Sequence, residues 1–215
     1  MDQGLGQAMT ARAEKKRAQI LDGARAVFLA EGFDGASMEA IAHAAGVSKG
    51  TLYTYFKGKD ELFTALVAAC QNRSLEETFR SLNKASDPRG NLETLARNYL
   101  DRVREPENLA LLRVVVGASA KFPSLGQAFY ETGMRPPVER LAQYLKDNAS
   151  PRAASAWDVE LAAVQFFAFL RASVAIPMLI AHEPFPSPRR CSAIVAQAVG
   201  TLLRDLGEQP ASAEA

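Results

Sequence analysis

Lys49, Gly50, Tyr53, Thr54 and Lys57 fall at i, i+1, i+4, i+5 and i+8, a spacing that puts them on one side of a short helix. Leu52 and Phe56 take the opposite side. The outer side combines ammonium groups, hydroxyls and a glycine that lets a backbone come close. Lys49 can donate to a guanine edge or a phosphate, and Thr51 can touch a thymine methyl or a base edge. The phenols of Tyr53 and Tyr55 suit phosphate oxygens, contacts that position a protein without specifying sequence. The chemistry on offer is reversible recognition of a DNA duplex. The plainer alternative is a solvated polar face with Ser37 and Ser48 as simple helix caps.

Other chemistries find little support. His43 and His182 have no Asp or Ser partner at motif spacing, and Cys70 and Cys191 lack an activating neighbour and suit helix packing. Two His and two Cys make no metal-ligand cluster. No Gly-rich phosphate loop or Gly-x-Ser-x-Gly elbow is present. The expectation is no catalytic residue, no metal and no cofactor.

The recognition residues need a scaffold, and the pattern around them supplies one. Ile20, Ala24, Val27 and Phe28 mark one face of a first helix that Gly32 would stop. Ser37 can cap a second helix whose inner face is Met38, Ile41, Ala42 and Ala45. Gly46 interrupts it, and Ser48 can cap the third. A short capped helix, a glycine turn and a second short helix describe a helix-turn-helix. A fourth helix begins near Lys59, with Asp60 and Glu61 in its first turn where the helix dipole favours acids. Its apolar face runs through Leu62, Phe63, Leu66, Val67 and Cys70, with Leu75, Phe79 and Leu82 as continuation.

Further along, helical signals persist and strand-type alternation is nearly absent. Asp87-Pro88-Arg89-Gly90 reads as a turn, 91–104 as a helix and 109–120 as a buried helix. Lys121-Phe122-Pro123 breaks the chain. Residues 125–148 read as helical with an interruption at Met134-Arg135-Pro136-Pro137. Residues 157–181 are apolar on more than one face, but Arg171 at the centre argues for a buried helix rather than a membrane span. After the Pro-rich loop 183–188, a last helix carries Cys191, Ile194, Val195, Ala198 and Leu202 on one stripe and Val199, Leu203 and Leu206 on another.

Composition is compatible with this reading without selecting it. The chain has 215 residues, 48% hydrophobic and 23% charged, with 25 Lys+Arg against 24 Asp+Glu and a net charge of +1. A disordered, collagen-like or histone-like chain is excluded. The basic groups are clustered rather than abundant: Arg12, Lys15, Lys16 and Arg17 precede the first apolar helix face, and Lys49, Lys57 and Lys59 follow. Two cysteines build no disulfide framework and residues 1–17 hold no apolar signal core, so a cytoplasmic setting is expected.

The segment AEKKRAQILDGARAVFLAEGFDGASMEAIAHAAGVSKGTLYTYFKGKDELFTALV resembles the N-terminal domain of TetR-family transcriptional regulators. The motifs that carry the resemblance are Phe28 with Gly32-Phe33, then Ile41-Ala42 with Ala45-Gly46-Val47-Ser48. They continue with Gly50-Thr51-Leu52-Tyr53, Tyr55-Phe56 and Lys59-Asp60-Glu61-Leu62. Farther on, Phe122-Pro123, Leu125-Gly126 and Ala128-Phe129-Tyr130 look like the C-terminal domain of an efflux-linked, AefR-like branch.

The resemblance implies an all-α protein: an arm and three-helix helix-turn-helix domain over 1–58, a helical ligand-binding and dimerisation domain over 59–207, and a flexible tail over 208–215. It implies DNA-facing roles for Ser37, Ser48, Lys49, Gly50, Thr51, Tyr53, Thr54, Tyr55 and Lys59. It implies a homodimer through helices at about 157–181 and 191–206, with no membrane partner. The expected function is repression at a palindromic operator, released by a small lipophilic or aromatic inducer, with efflux genes as candidate targets. An activator and a dimeric helical scaffold without DNA binding are the alternatives. Candidate pocket residues are Tyr99, Val103, Leu111, Arg113, Val115, Phe122, Phe129, Phe166 and Phe169, each equally readable as ordinary core.

Overall fold

The computed structural model describes residues 2–80, 82, 87–148 and 158–205, and every regular element among them is helical. The expected tail 208–215, together with Trp157 and Leu206, lies outside the described residues. The helices are α1 (Asp2–Gly35), α2 (Met38–Ala44), α3 (Lys49–Tyr55), α4 (Lys59–Phe79), α5 (Pro88–Arg104), α6 (Pro106–Ser119), α7 (Pro123–Phe129), α8 (Arg135–Asn148), α9 (Val159–Leu170), α10 (Ile176–Ile180) and α11 (Pro188–Asp205). Two π-helical turns, Tyr130–Met134 and Arg171–Ala175, join α7 to α8 and α9 to α10.

The chain divides into two compact units, Met1–Gln71 with Ala110–Thr132, and Asn72–Leu109 with Gly133–Ala215. The expected division after residue 58 falls inside the first unit. The reason is aromatic packing. Phe63 on α4 meets Phe28 and Phe33 edge-on, with centroids 5.0 and 5.4 Å away, while Phe28 and Phe33 stack at 5.7 Å. Leu62, Leu66 and Val67 are fully buried beside them in sequence. The start of α4 therefore completes the core of the helix-turn-helix instead of opening the next domain.

Within this unit the sequence pattern is obeyed closely. Ile20, Ala24, Phe28, Ile41 and Leu52 are wholly inaccessible to solvent. Helical geometry in α1 is interrupted at Gly32 (φ 70°, ψ 176°), where a stop was expected, and one more turn runs on to Gly35. Gly23 is a contact point: a Cβ there would lie 2.6 Å from the Ala45 backbone, so α1 and the end of α2 approach more closely than any side chain permits. Gly46 has φ 62°, the left-handed conformation the turn between α2 and α3 requires.

α6 departs from expectation. Of the run 109–120 only Leu111 and Val115 are buried, while Val116 is 53% exposed and Arg113 lies on the surface. An apolar stretch without strong helical periodicity has one inner edge, and the rest of its apolar surface faces out.

The second unit is built on Leu92, Leu95, Leu141, Ala163, Phe167, Leu170, Val199 and Leu203. α9 packs against α8 and α11, and α11 against α5. The expected interruption near Pro136-Pro137 is a π turn followed directly by α8. Both prolines lie in the first turn of α8, where the missing N–H costs least. Pro177 is accommodated in the same way, just after the second π turn. Residues Val159–Ile180 form a helix long and apolar enough to cross a membrane by length and composition alone, with a third of its most apolar window buried inside the protein. Its outer side carries Leu161, Val164, Ile176 and Ile180, all exposed.

Candidate nucleic-acid interface

Two serine caps set the geometry of the helix-turn-helix. Ser37 Oγ accepts from the Ala40 amide at 3.1 Å, and Ser48 Oγ accepts from the Thr51 amide at 3.0 Å. Each satisfies a backbone donor that the first turn leaves without a helical partner. Both serines are exposed, so capping does not remove their hydroxyls from the surface. Ser48 Oγ also lies 2.8 Å from Thr51 Oγ1, which fixes the rotamer of Thr51.

α3 then divides into the two sides anticipated. Leu52 and Phe56 are buried, whereas Lys49, Gly50, Tyr53, Thr54 and Lys57 are exposed. Tyr53 is 46% exposed, a large share for an aromatic ring on a short helix. Thr54 Oγ1 donates back to the Gly50 carbonyl at 3.0 Å. Tyr55 and Thr51 are half-buried at the margins.

The bracing around α3 comes from α1. Lys16 Nζ donates to Gln19 Oε1 at 2.9 Å, and Gln19 Nε2 donates to the Ala45 carbonyl at 2.6 Å. The Arg17 guanidinium lies over the Phe56 ring, 5.3 Å from its centroid. Part of the basic arm is thereby used to hold the end of α3.

Lys59 is turned differently from the rest of the expected set. Its ammonium donates to the Asp34 and Ala36 carbonyls at 3.2 and 2.9 Å and sits 4.7 Å from the Phe33 ring centroid. It clamps the α1–α2 connection, and the outer face of α3 is formed without it.

One functional candidate escaped sequence reasoning. Glu39, in the first turn of α2, accepts a hydrogen bond from Lys49 Nζ at the start of α3. That bond, then the opposite charge, lowers the Glu39 carboxyl below its usual range and raises the Lys49 ammonium. Both groups are therefore ionised at neutral pH. An acid in a first turn is ordinary for dipole reasons, so the spacing alone gave no signal.

The pocket candidates are divided between the two units. Leu111, Val115 and Phe129 are buried in the first unit with Phe122 half-buried, and Arg113 is on its surface. Phe122 is engaged edge-on with Phe33, centroids 4.9 Å apart. Tyr99, Val103, Phe166 and Phe169 belong to the second unit. Tyr99 packs on Phe167 at 5.1 Å; burial pushes its phenol pKa up, opposed by the charges of Arg171 and Arg102. Phe166 and Phe169 line a depression of about 200 Å³ between α9 and α11, with Gln165, Ala198, Thr201 and Leu202. Among the described residues, no group of three or more His, Cys, Asp or Glu is placed to hold a metal ion.

Comparison with known proteins bears on both halves of the chain. Residues 20–66 match the family described as bacterial regulatory proteins, tetR family, and residues 90–206 match the AefR-like transcriptional repressor, C-terminal domain. A TetR-family structure from Mesorhizobium loti shares 28% identity and a TM-score of 0.77, covering 90% of this chain and 97% of that one. The flavonoid-responsive regulator FrrA shares 30% identity and a TM-score of 0.71, over 89% and 96%. Among curated relatives, the transcriptional regulator SrpR of Pseudomonas putida is 42% identical over 62 residues, 29% of either chain. UidR of Escherichia coli is 40% identical over 67 residues, 31% of this chain and 34% of its own length. The chain thus matches less than half the length of these curated relatives.

Proposed function

Because the chain belongs to the TetR family and is a DNA-binding transcriptional regulator rather than an enzyme, we propose that it is a ligand-released repressor acting as a homodimer on a palindromic operator. The observation that carries this reading is the exposed face of α3, two-sided and capped, with Lys49, Gly50, Tyr53 and Thr54 outward over a buried Leu52 and Phe56. Such a helix fits the major groove, and Ser37, Ser48, Thr51 and Tyr55 flank it at positions suited to phosphate or base edges. Repression rather than activation is supported by the description of the family matched over 90–206.

The dimer seam in this reading is formed by α9–α10 and α11. The exposed Leu161, Val164, Ile176 and Ile180 supply an apolar stripe that an isolated protomer leaves in water, and the depression between α9 and α11 opens beside it. A small lipophilic or aromatic inducer, exclusion from DNA on its binding, and control of efflux genes in the cytoplasm complete the proposal. Release by such a ligand is a coupling free energy between two sites and requires that the ligand prefer the conformer that DNA does not.

The test is retardation of DNA from the region upstream of the protein's own gene, at low salt, with a panel of lipophilic aromatic compounds added. A retarded complex with dimer stoichiometry that one compound dissolves is expected. Failure to retard that DNA at any protein concentration overturns the reading.

A further inference from the structure

Glu39 stands out on the recognition surface because an unpartnered carboxylate there would repel a phosphate backbone. It is not buried for packing: its side chain is 70% exposed, and that of Lys49 57%. An ion pair this exposed contributes little to folding and opens cheaply, so stability does not explain its place. What the pair does have is position. It joins the first turn of α2 to the first residue of α3, the end of the recognition helix that enters the groove.

We propose that Glu39 and Lys49 together read one C·G base pair in the major groove, Lys49 donating to guanine O6 and N7 while Glu39 accepts from the cytosine N4 amino group. The proposal rests on the DNA-binding reading above and adds to it a specificity-determining residue from the other helix of the motif.

A donor and an acceptor held side by side match an edge that presents an acceptor and a donor side by side. A G·C pair offers guanine O6 next to cytosine N4–H, with N7 as a second acceptor for the ammonium. An A·T pair also places a donor next to an acceptor, adenine N6–H beside thymine O4. There the donor is flanked by the N7 lone pair, which repels a carboxylate, and the ammonium finds one acceptor beside a methyl group. The pair is therefore biased toward G·C, with cytosine on the Glu39 side. The carboxylate also penalises every duplex that cannot offer an amino group at that spot, which is discrimination by repulsion.

The experiment selects binding sites from a random duplex library with the full-length protein, its Glu39→Gln variant and its Glu39→Ala variant. The wild type is expected to recover a motif with a conserved C·G pair. Glu39→Gln should change cytosine to adenine at that one position, because an amide pairs with adenine N6 and N7, and keep the rest of the motif. Glu39→Ala should relax the same position, lowering its preference roughly tenfold or more. Identical motifs from all three proteins overturn the proposal. So does uniform tightening on all sequences, which would mean that Glu39 only neutralises Lys49. A wild type that selects no sequence overturns the DNA-binding reading itself.

Discussion

The Phe122 ring meets Phe33 edge-on, with centroids 4.9 Å apart and planes at 67°, and so ties the α6–α7 turn to the α1–α2 connection. An ion pair runs alongside: Lys121 Nζ donates to Asp34 Oδ2 at 2.6 Å, across 87 residues of chain. The two contacts differ in weight. Both charged groups are mostly exposed, so Asp34→Asn should change stability by less than about 1 kcal/mol. The ring pair lies partly out of water. A double-mutant cycle with Phe33→Leu and Phe122→Leu, read by urea unfolding, should give a coupling of about 0.5–1.5 kcal/mol. Simple additivity of the two substitutions would remove the contact from the account.

Gly23→Ala tests the close approach of α1 to α2. A methyl group 2.6 Å from the Ala45 backbone forces the helices apart, since the obstacle is main chain and cannot rotate away. A loss of about 1–3 kcal/mol is expected in chemical denaturation, against the small gain that Gly→Ala normally brings to a helix. An increase in melting temperature would contradict the packing.

Tyr53→Phe should leave folding within about 0.5 kcal/mol of wild type, because the hydroxyl projects from an exposed ring. DNA affinity should fall while the preferred sequence stays the same, since a phosphate contact carries no base information. Lys49→Ala should weaken binding and also relax the base preference at the one position its ammonium contacts. Competition binding against duplexes altered at single positions distinguishes the two variants.

Cys191 gives the pH dependence. Burial, followed by the negative charge of Asp101, raises its thiol pKa, while Arg104 and Arg97 act in the other direction. Less thiolate is then present at pH 8–9 than in an unfolded chain. In a Cys70→Ser background, alkylation by iodoacetamide should run slower in the native protein than in urea, and the native rate should climb toward higher pH. The same sign applies to folding: the contribution is intact below the unfolded thiol's pKa and is lost as pH rises through the folded value. A native thiol as reactive as the denatured one would refute the raised pKa.

The recognition face was legible because everything that defines it is local. Ser48 caps a turn three residues away, Gly46 fixes the entry, and Leu52 and Phe56 settle which side is inside. The carbonyl partners of Lys59, on Asp34 and Ala36, were not legible, because they come from an earlier connection that no spacing rule brings near. Glu39 was hidden by having an adequate local explanation. The pocket candidates rest on composition, which does not assign them to a unit: Leu111, Val115, Phe122 and Phe129 belong to one, and Tyr99, Val103, Phe166 and Phe169 to the other. Pro136-Pro137 reads as a break in any one-dimensional pattern, whereas a π turn lets the helix absorb it.

The π turn Arg171–Ala175 has a consequence for inheritance. An α-helix advances about 100° per residue, so its faces drift when an apolar spacing of four is repeated. A π turn takes in one extra residue and turns the following segment back, which keeps Ile176 and Ile180 in line with Leu161 and Val164. Were the same residues to take up α geometry, the distal half of the stripe would rotate by roughly a quarter turn. Losing one residue there instead removes the π turn and leaves both halves in line, whereas the same one-codon loss elsewhere along the helix would swing the part beyond it by about 100°.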